Sequence, residues 1–160
     1  MAFGVLPRNV QDSRSLRTDG QIVLGMYGQV KQDKVKNVRL LIVDDHEIFR
    51  RGLRALLEPY SEWQICGEAV DGFDAVKQCK LLKPDVVVMD VSMPGLNGLE
   101  AARLILNETP GIHIVIITQH DSPQIRSAAR EAGAEAFVTK SAVGSELVSA
   151  IRTRTRHSTN

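Results

Sequence analysis

Five polar side chains stand at the ends of apolar runs, and together their types suit one kind of chemistry. Asp44 and Asp45 follow Leu40, Leu41, Ile42 and Val43. Asp90 closes "DVVVMD", Thr118 closes "IHIVIIT", and Lys140 closes "EAFVTK". Singly, each has an ordinary reading: a helix N-cap before the segment that starts at His46, a turn residue, a strand-end hydroxyl, a solvated lysine. Gathered on one rim they become a problem, because two carboxylates 4 Å apart repel by about 4 kcal/mol at an effective dielectric near 20. A hard divalent cation relieves that repulsion. Mg²⁺ fits best, since it accepts a few carboxylates and keeps waters that a phosphate oxygen can replace. His46 and His120 lie nearby in sequence, but the donor set is predominantly oxygen and does not read as zinc. A cation, an ammonium and a hydroxyl around a carboxylate are the parts that phosphoryl transfer uses, with charge neutralised on the moving group while a fixed nucleophile attacks in line. The chain contains no GxxxxGK(S/T) loop, so the phosphodonor is not expected to be held as a nucleotide.

The segments that must position these groups follow from hydrophobic periodicity. Apolar runs at 38–43, 64–69, 85–89, 112–117 and 135–138 read as strands, several of them aliphatic on both faces as in a covered parallel sheet. Helical spacing places helices at about 47–58, 72–82, 98–107, 123–132 and 143–153. Phe49, Leu53, Leu56 and Leu57 make one apolar stripe; Val143, Leu147, Ala150 and Ile151 make another. Punctuation agrees with this reading. Asn97 with Glu100 has capping-box spacing, Ser122 precedes Pro123 as an N-cap before an N1 proline, and Gly133 ends the fourth helix. Five strands alternating with five helices imply a parallel sheet covered on both faces, since each crossover is right-handed. Ligands of such sheets bind beyond the carboxyl ends of the strands, where the five polar groups fall. Periodicity does not fix the strand order.

The chain has 160 residues, 43% hydrophobic and 24% charged, which suits one domain with a proper core. No apolar run approaches the roughly 20 residues of a membrane span. The opening "MAFGVLPRNVQ" lacks the pattern of a secretion signal. Cys66 and Cys79 sit in apolar patterns without metal spacing and are expected to be buried, reduced thiols. These features suit a cytoplasmic protein. The net charge of +1 is unevenly spread: residues 1–37 carry +3, residues 38–150 carry −5 and residues 151–160 carry +3. Residues 1–37 show no sustained period and read as a flexible or loosely docked arm. Within them "QIVLGMYGQV" is compatible with a short strand or a helix.

The stretches "LLIVDDHEIFRRGL", "DVVVMDVSMPGLNGLEAAR", "IVIIT" and "AFVTK" resemble the response-regulator receiver domain of two-component signalling, over about residues 38–155. Their wording is most similar to the NarL/FixJ subfamily, whose receivers precede a helix-turn-helix domain. The resemblance implies an α/β, flavodoxin-like, doubly wound (βα)5 fold with a five-stranded parallel sheet in the order 2-1-3-4-5. It implies Asp90 as phosphoacceptor, with Mg²⁺ held by Asp45, Asp90 and the backbone carbonyl of Ser92, and with Asp44 supporting the ion through a water. It further implies that Lys140 and Thr118 bind the phosphoryl group, and that Phe137 is the aromatic switch position. Met93–Pro94 and Gly98 match the family's loop after the acceptor. Ser92, Gln119 and His120 fall where access to the phosphoryl group is tuned. Gln119 stands where a small residue is commonest, and Ser141 where many members have a proline and a cis peptide. The implied partners are a sensor histidine kinase and, after phosphorylation, a second copy of the chain. The implied role is a switch controlling an output such as transcription, rather than an enzyme for other substrates. No helix-turn-helix domain follows residue 155, so DNA readout is expected only through a domain or partner outside residues 1–160, with 156–160 a tail or the start of a linker. Two other readings use the same residues: a Mg²⁺-dependent phosphohydrolase of small molecules and a degenerate receiver that only binds proteins. The acceptor context "VMDVSMP" lacks a second aspartate two positions on, and the five polar groups are intact.

Overall fold

The computed structural model of the chain describes residues 37–155. The expected N-terminal arm, with "QIVLGMYGQV", and the tail at 156–160 lie outside the described residues. Strand β1 (Val38–Val43) leads into helix α1 (Glu47–Leu57), and the alternation continues through β2 (Trp63–Ala69), α2 (Gly72–Leu82), β3 (Val86–Asp90) and α3 (Gly98–Glu108). It ends with β4 (His113–Thr118), α4 (Pro123–Glu131), β5 (Ala136–Thr139), a 3₁₀ turn at Lys140–Ala142 and α5 (Val143–Thr155). All strand pairs are parallel and the order is β2-β1-β3-β4-β5, as the resemblance implies.

Strand alternation sorts the aliphatic residues into two layers. Leu41, Val43, Val87, Met89, Ile114 and Ile116 face one layer with Ala75 and Cys79 of α2, Ala101, Ala102 and Ile105 of α3, and Ala129 of α4. Leu40, Ile42, Val86, Val88, Val115 and Ile117 face the other, against Leu53 and Leu57 of α1 and Leu147 and Ile151 of α5. Both faces being covered explains why the central strands lack polar alternation. The alanine-rich faces of α2, α3 and α4 let those helices approach the sheet closely.

The caps follow the residue pattern. Asn97 accepts from Glu100 N–H at 3.0 Å while the Glu100 carboxylate accepts from Asn97 N–H at 3.2 Å, a complete capping box for α3. Ser122 Oγ accepts from Ile125 N–H ahead of Pro123, and Gly133 takes φ +88° beyond α4. The ordinary reading of an aspartate as helix N-cap does not hold at α1. The N-cap of α1 is His46, whose side chain makes no capping bond; neither Asp44 nor Asp45 occupies that place. Cys66 is half-buried and Cys79 buried, both as free thiols. The described residues contain no cis peptide, so Lys140–Ser141 is trans. No helix among them is long and apolar enough to cross a membrane.

Candidate functional site

The carboxyl ends of β1 and β3 lie side by side, with Ile42 beside Val88 and Val43 beside Met89. That register carries Asp44, Asp45 and Asp90 to one point. One carboxylate oxygen from each of them and a ring nitrogen of His46 all lie within 4.8 Å of one another. The loop after β3 is folded tightly over Asp90. Gly95 turns it with φ +75°, and Gly98 packs so closely on the Asp90 carbonyl that a Cβ there would collide with it.

Each aspartate has a different environment. Asp44 is fully buried. Its Oδ2 accepts from Lys140 Nζ at 2.6 Å, and its Oδ1 accepts from the His46 backbone N–H at 2.7 Å and lies 3.2 Å from His46 Nδ1. Asp90 is 1% exposed. Among the described residues neither of its carboxylate oxygens has a hydrogen-bond partner. Lys140 Nζ stands 3.3 Å from Asp90 Oδ2, close enough for an ion pair though without hydrogen-bond geometry. Asp45 is half-exposed; its Oδ1 is also unpartnered although His46 Nδ1 is 2.9 Å away.

Electrostatics follow from this geometry. Burial, and after it the charge of Asp44, push the Asp90 pKa above the ordinary carboxylate range, with Lys140 opposing them. Burial pulls the Lys140 ammonium down. The hydrogen bond to Asp44, with the charges of Asp90 and Asp44, outweighs that pull and leaves its pKa raised. The lysine stem runs along Phe49 of α1, with Nζ 4.4 Å from the ring centroid. Lys140 therefore stays charged and aimed into the rim.

Thr118, at the end of β4, is 1% exposed. Its hydroxyl donates to the His120 carbonyl at 3.2 Å and accepts from the His120 N–H at 3.3 Å. Gln119 and His120 are exposed, as is Ser92 after β3. Gln119 joins Lys140, His46, Phe49, Leu53 and Leu56 around an open groove of about 620 Å³ between α1 and α5. Phe137 in β5 is half-buried at the edge of the core. The structure thus joins Asp44, Asp45, Asp90 and Lys140 directly, keeps Thr118 on the same rim with its hydroxyl engaged locally, and sets Phe137 apart.

Two supporting groups escaped the sequence reading. Arg50 donates to the Asp44 carbonyl at 2.8 Å and to Glu68 at 3.1 Å, while Arg54 donates to Glu68 at 2.8 Å, so α1 and β2 brace the end of β1. Arg126 of α4 lies over the Phe137 ring, 4.5 Å from its centroid, and is gripped by both oxygens of Asp121 at 2.5 and 2.6 Å. The i, i+4 arginines on α1 were visible in sequence, but nothing marked Glu68 as their partner.

This combination of sheet order and acidic rim defines a receiver. The chain matches the response regulator receiver domain family over residues 40–152 and belongs to that family. It is 44% identical over 115 residues to the response regulator UvrY of Escherichia coli, covering 72% of this chain and 53% of the relative. It is 41% identical over 115 residues to GacA of Pseudomonas aeruginosa, covering 72% of this chain and 54% of the relative. The chain spans about half the length of these relatives. Among solved structures, a LuxR-family response regulator from an Aurantimonas species superposes with a TM-score of 0.71 at 39% identity, covering 74% of this chain and 84% of that one. The NarL receiver from Mycobacterium tuberculosis gives 0.72 at 31% identity, over 76% of this chain and 98% of that one. These likenesses agree with a NarL/FixJ-type receiver acting in two-component signalling.

Proposed function

We propose that Asp90 accepts a phosphoryl group from the phosphohistidine of a sensor kinase, in a Mg²⁺-dependent reaction, and that the modified domain controls a transcriptional output. The observation that carries this reading is Asp90 itself: a buried carboxylate with both oxygens unpartnered, beside an ammonium and two further carboxylates. Native proteins rarely leave a buried charge in that condition without a use for it. The residues fit a divalent ion, since Asp90 and Asp45 supply unpartnered oxygens within one cluster. Asp45, Asp90 and the Ser92 carbonyl would hold Mg²⁺, with Asp44 behind them; the bound ion would neutralise charge on the transferred group.

The chain's own groups account for the rest. An Asp90 oxygen attacks phosphorus as the donor's N–P bond breaks, and the leaving imidazole keeps the electron pair and takes a proton. Lys140, already 3.3 Å from Asp90, pairs with a phosphoryl oxygen, and Thr118 turns from His120 to donate to another. Ile48, 86% exposed at the start of α1, and the apolar groove beside it offer a surface against which the donor can rest. Drawing Thr118 inward lets Phe137 follow, which reshapes the α4–β5–α5 face and favours pairing with a second copy. The test is incubation with acetyl phosphate and Mg²⁺ followed by intact-mass measurement. One acid-labile phosphoryl group is expected on the wild type and none on Asp90→Ala; normal labelling of the variant would overturn the assignment.

A further inference from the structure

The rim contains a nitrogen that an all-oxygen Mg²⁺ site does not need. His46 Nδ1 lies 2.9 Å from Asp45 Oδ1 without forming a hydrogen bond to it, and within 4.8 Å of the Asp90 and Asp44 oxygens. In an octahedral shell with metal–ligand distances of about 2.1 Å, neighbouring ligand atoms are about 3.0 Å apart. The Asp45–His46 separation, which is also that of an ion pair, therefore suits two adjacent ligands of one ion. A second observation points the same way: Asp90, 1% exposed, has no hydrogen-bond partner on either oxygen and places one of them in the cluster. His120, the other histidine near the rim in sequence, is not in the cluster.

We infer that His46 is a metal ligand of this receiver, and that its imidazole makes the site favour borderline, later first-row divalent ions, such as Co²⁺, over Mg²⁺. This inference rests on the metal-dependent reading proposed above and specifies the ion class of that same site. The chemistry is that of the donors. Carboxylates suit Mg²⁺ and Mn²⁺ alike, whereas imidazole adds affinity for ions later in the first-row series. The His46 ring is 67% exposed, so it can carry its hydrogen on Nε2 and offer the Nδ1 lone pair to the ion. Asp44 Oδ1 then keeps the His46 backbone N–H as a partner, so the ring can release its contact with Asp44 without leaving that oxygen bare. A metal site built this way would respond to which divalent ion is available as well as to the phosphodonor.

The test is direct binding of Mg²⁺, Mn²⁺ and Co²⁺ to the full chain by calorimetric titration without any phosphodonor, for the wild type and His46→Gln. Loss of His46 should weaken Co²⁺ binding by at least about tenfold, as much as loss of a partner outside the ligand shell commonly does. It should leave Mg²⁺ binding nearly unchanged, with Mn²⁺ between the two. Pulsed electron paramagnetic resonance of the Mn²⁺-loaded wild type should show coupling to an imidazole nitrogen, absent in His46→Gln. An equal loss for all three ions, or no nitrogen coupling in the wild type, would overturn the ligand assignment while leaving the oxygen site intact. A wild type that binds no divalent ion would overturn both this inference and the metal-dependent reading beneath it.

Discussion

Replacing Asp90 by asparagine should make the metal-free domain more stable at neutral pH, although it removes a charge that sits beside a lysine. The attraction to Lys140 at 3.3 Å amounts to about 5 kcal/mol at an effective dielectric of 20. Against it stand the Asp44 and Asp45 oxygens, each within 4.8 Å, which repel Asp90 by at least about 3.5 kcal/mol apiece on the same scale. Repulsion therefore exceeds attraction by about 2 kcal/mol before desolvation is added. Lys140 also keeps Asp44 when Asp90 is neutral. Asp90→Asn should stabilise by about 2 kcal/mol, or roughly 8 °C in Tm for a domain of about 120 residues. The increment must depend on pH. Burial and Asp44 raise the folded pKa of Asp90 above its unfolded value, so the folded state holds that proton more tightly. The penalty is absent below the unfolded carboxylate range, about pH 4, grows as pH rises through the raised folded value, and is complete above it. Urea unfolding of both proteins in EDTA, from pH 4 to 8, measures this directly. A variant less stable at pH 8, or an increment independent of pH, would refute the electrostatic account.

Three other substitutions probe the remaining parts. Lys140→Met leaves the fully buried Asp44 without its ammonium and should destabilise by about 3–5 kcal/mol in urea unfolding, with loss of phosphorylation by acetyl phosphate. Gly98→Ala forces a Cβ into the Asp90 carbonyl; it should lower Tm and slow labelling in the intact-mass assay, whereas the same change at exposed Gly52, where nothing lies within 4 Å, should do neither. Thr118→Ala should leave Asp90 labelled but blunt phosphorylation-dependent self-association in analytical ultracentrifugation, and Arg126→Ala, which frees the Phe137 ring to move inward, should raise association before any phosphorylation.

The strands were legible because four of the five are short aliphatic runs bounded by polar residues, and the helix starts because Asn97, Ser122 and Pro123 are strong local signals. Strand ends moved by a residue where the ladder decides: β5 reaches Thr139 because Thr118 pairs with it. Strand order came from the family likeness, since periodicity says which residues are buried and not which strand is adjacent. The aspartates stay off the N-cap of α1 for a similar reason. A local rule sees an aspartate before a helix, but Asp44 is claimed by a lysine 96 residues away. Contacts of that range leave no mark on a single sequence, and the same is true of Glu68 facing Arg50 and Arg54 from the next strand.

The rim, as it stands, holds Lys140 and Thr118 on other partners. Lys140 gives its shortest contact to Asp44, and Thr118 spends its hydroxyl on the His120 backbone. A phosphoryl group on Asp90 would bring a charge of about −1.5 to −2 and three strong acceptors to a point both can reach. Reversing a 1:99 equilibrium requires about 5.5 kcal/mol of differential stabilisation. A charge-assisted hydrogen bond contributes about 1.5–3 kcal/mol, so neither group suffices alone and the two together barely do. The turn at Gln119–Ser122 would link them to the surface, since it is pinned by Thr118 at one end and carries Asp121, which grips Arg126 over Phe137, near the other. Releasing Thr118 from His120 would loosen Asp121 and free Phe137 from Arg126 to follow inward. On the proposed reading, Lys140 and the buried Thr118 hydroxyl would together report the state of Asp90 to an aromatic ring on another strand.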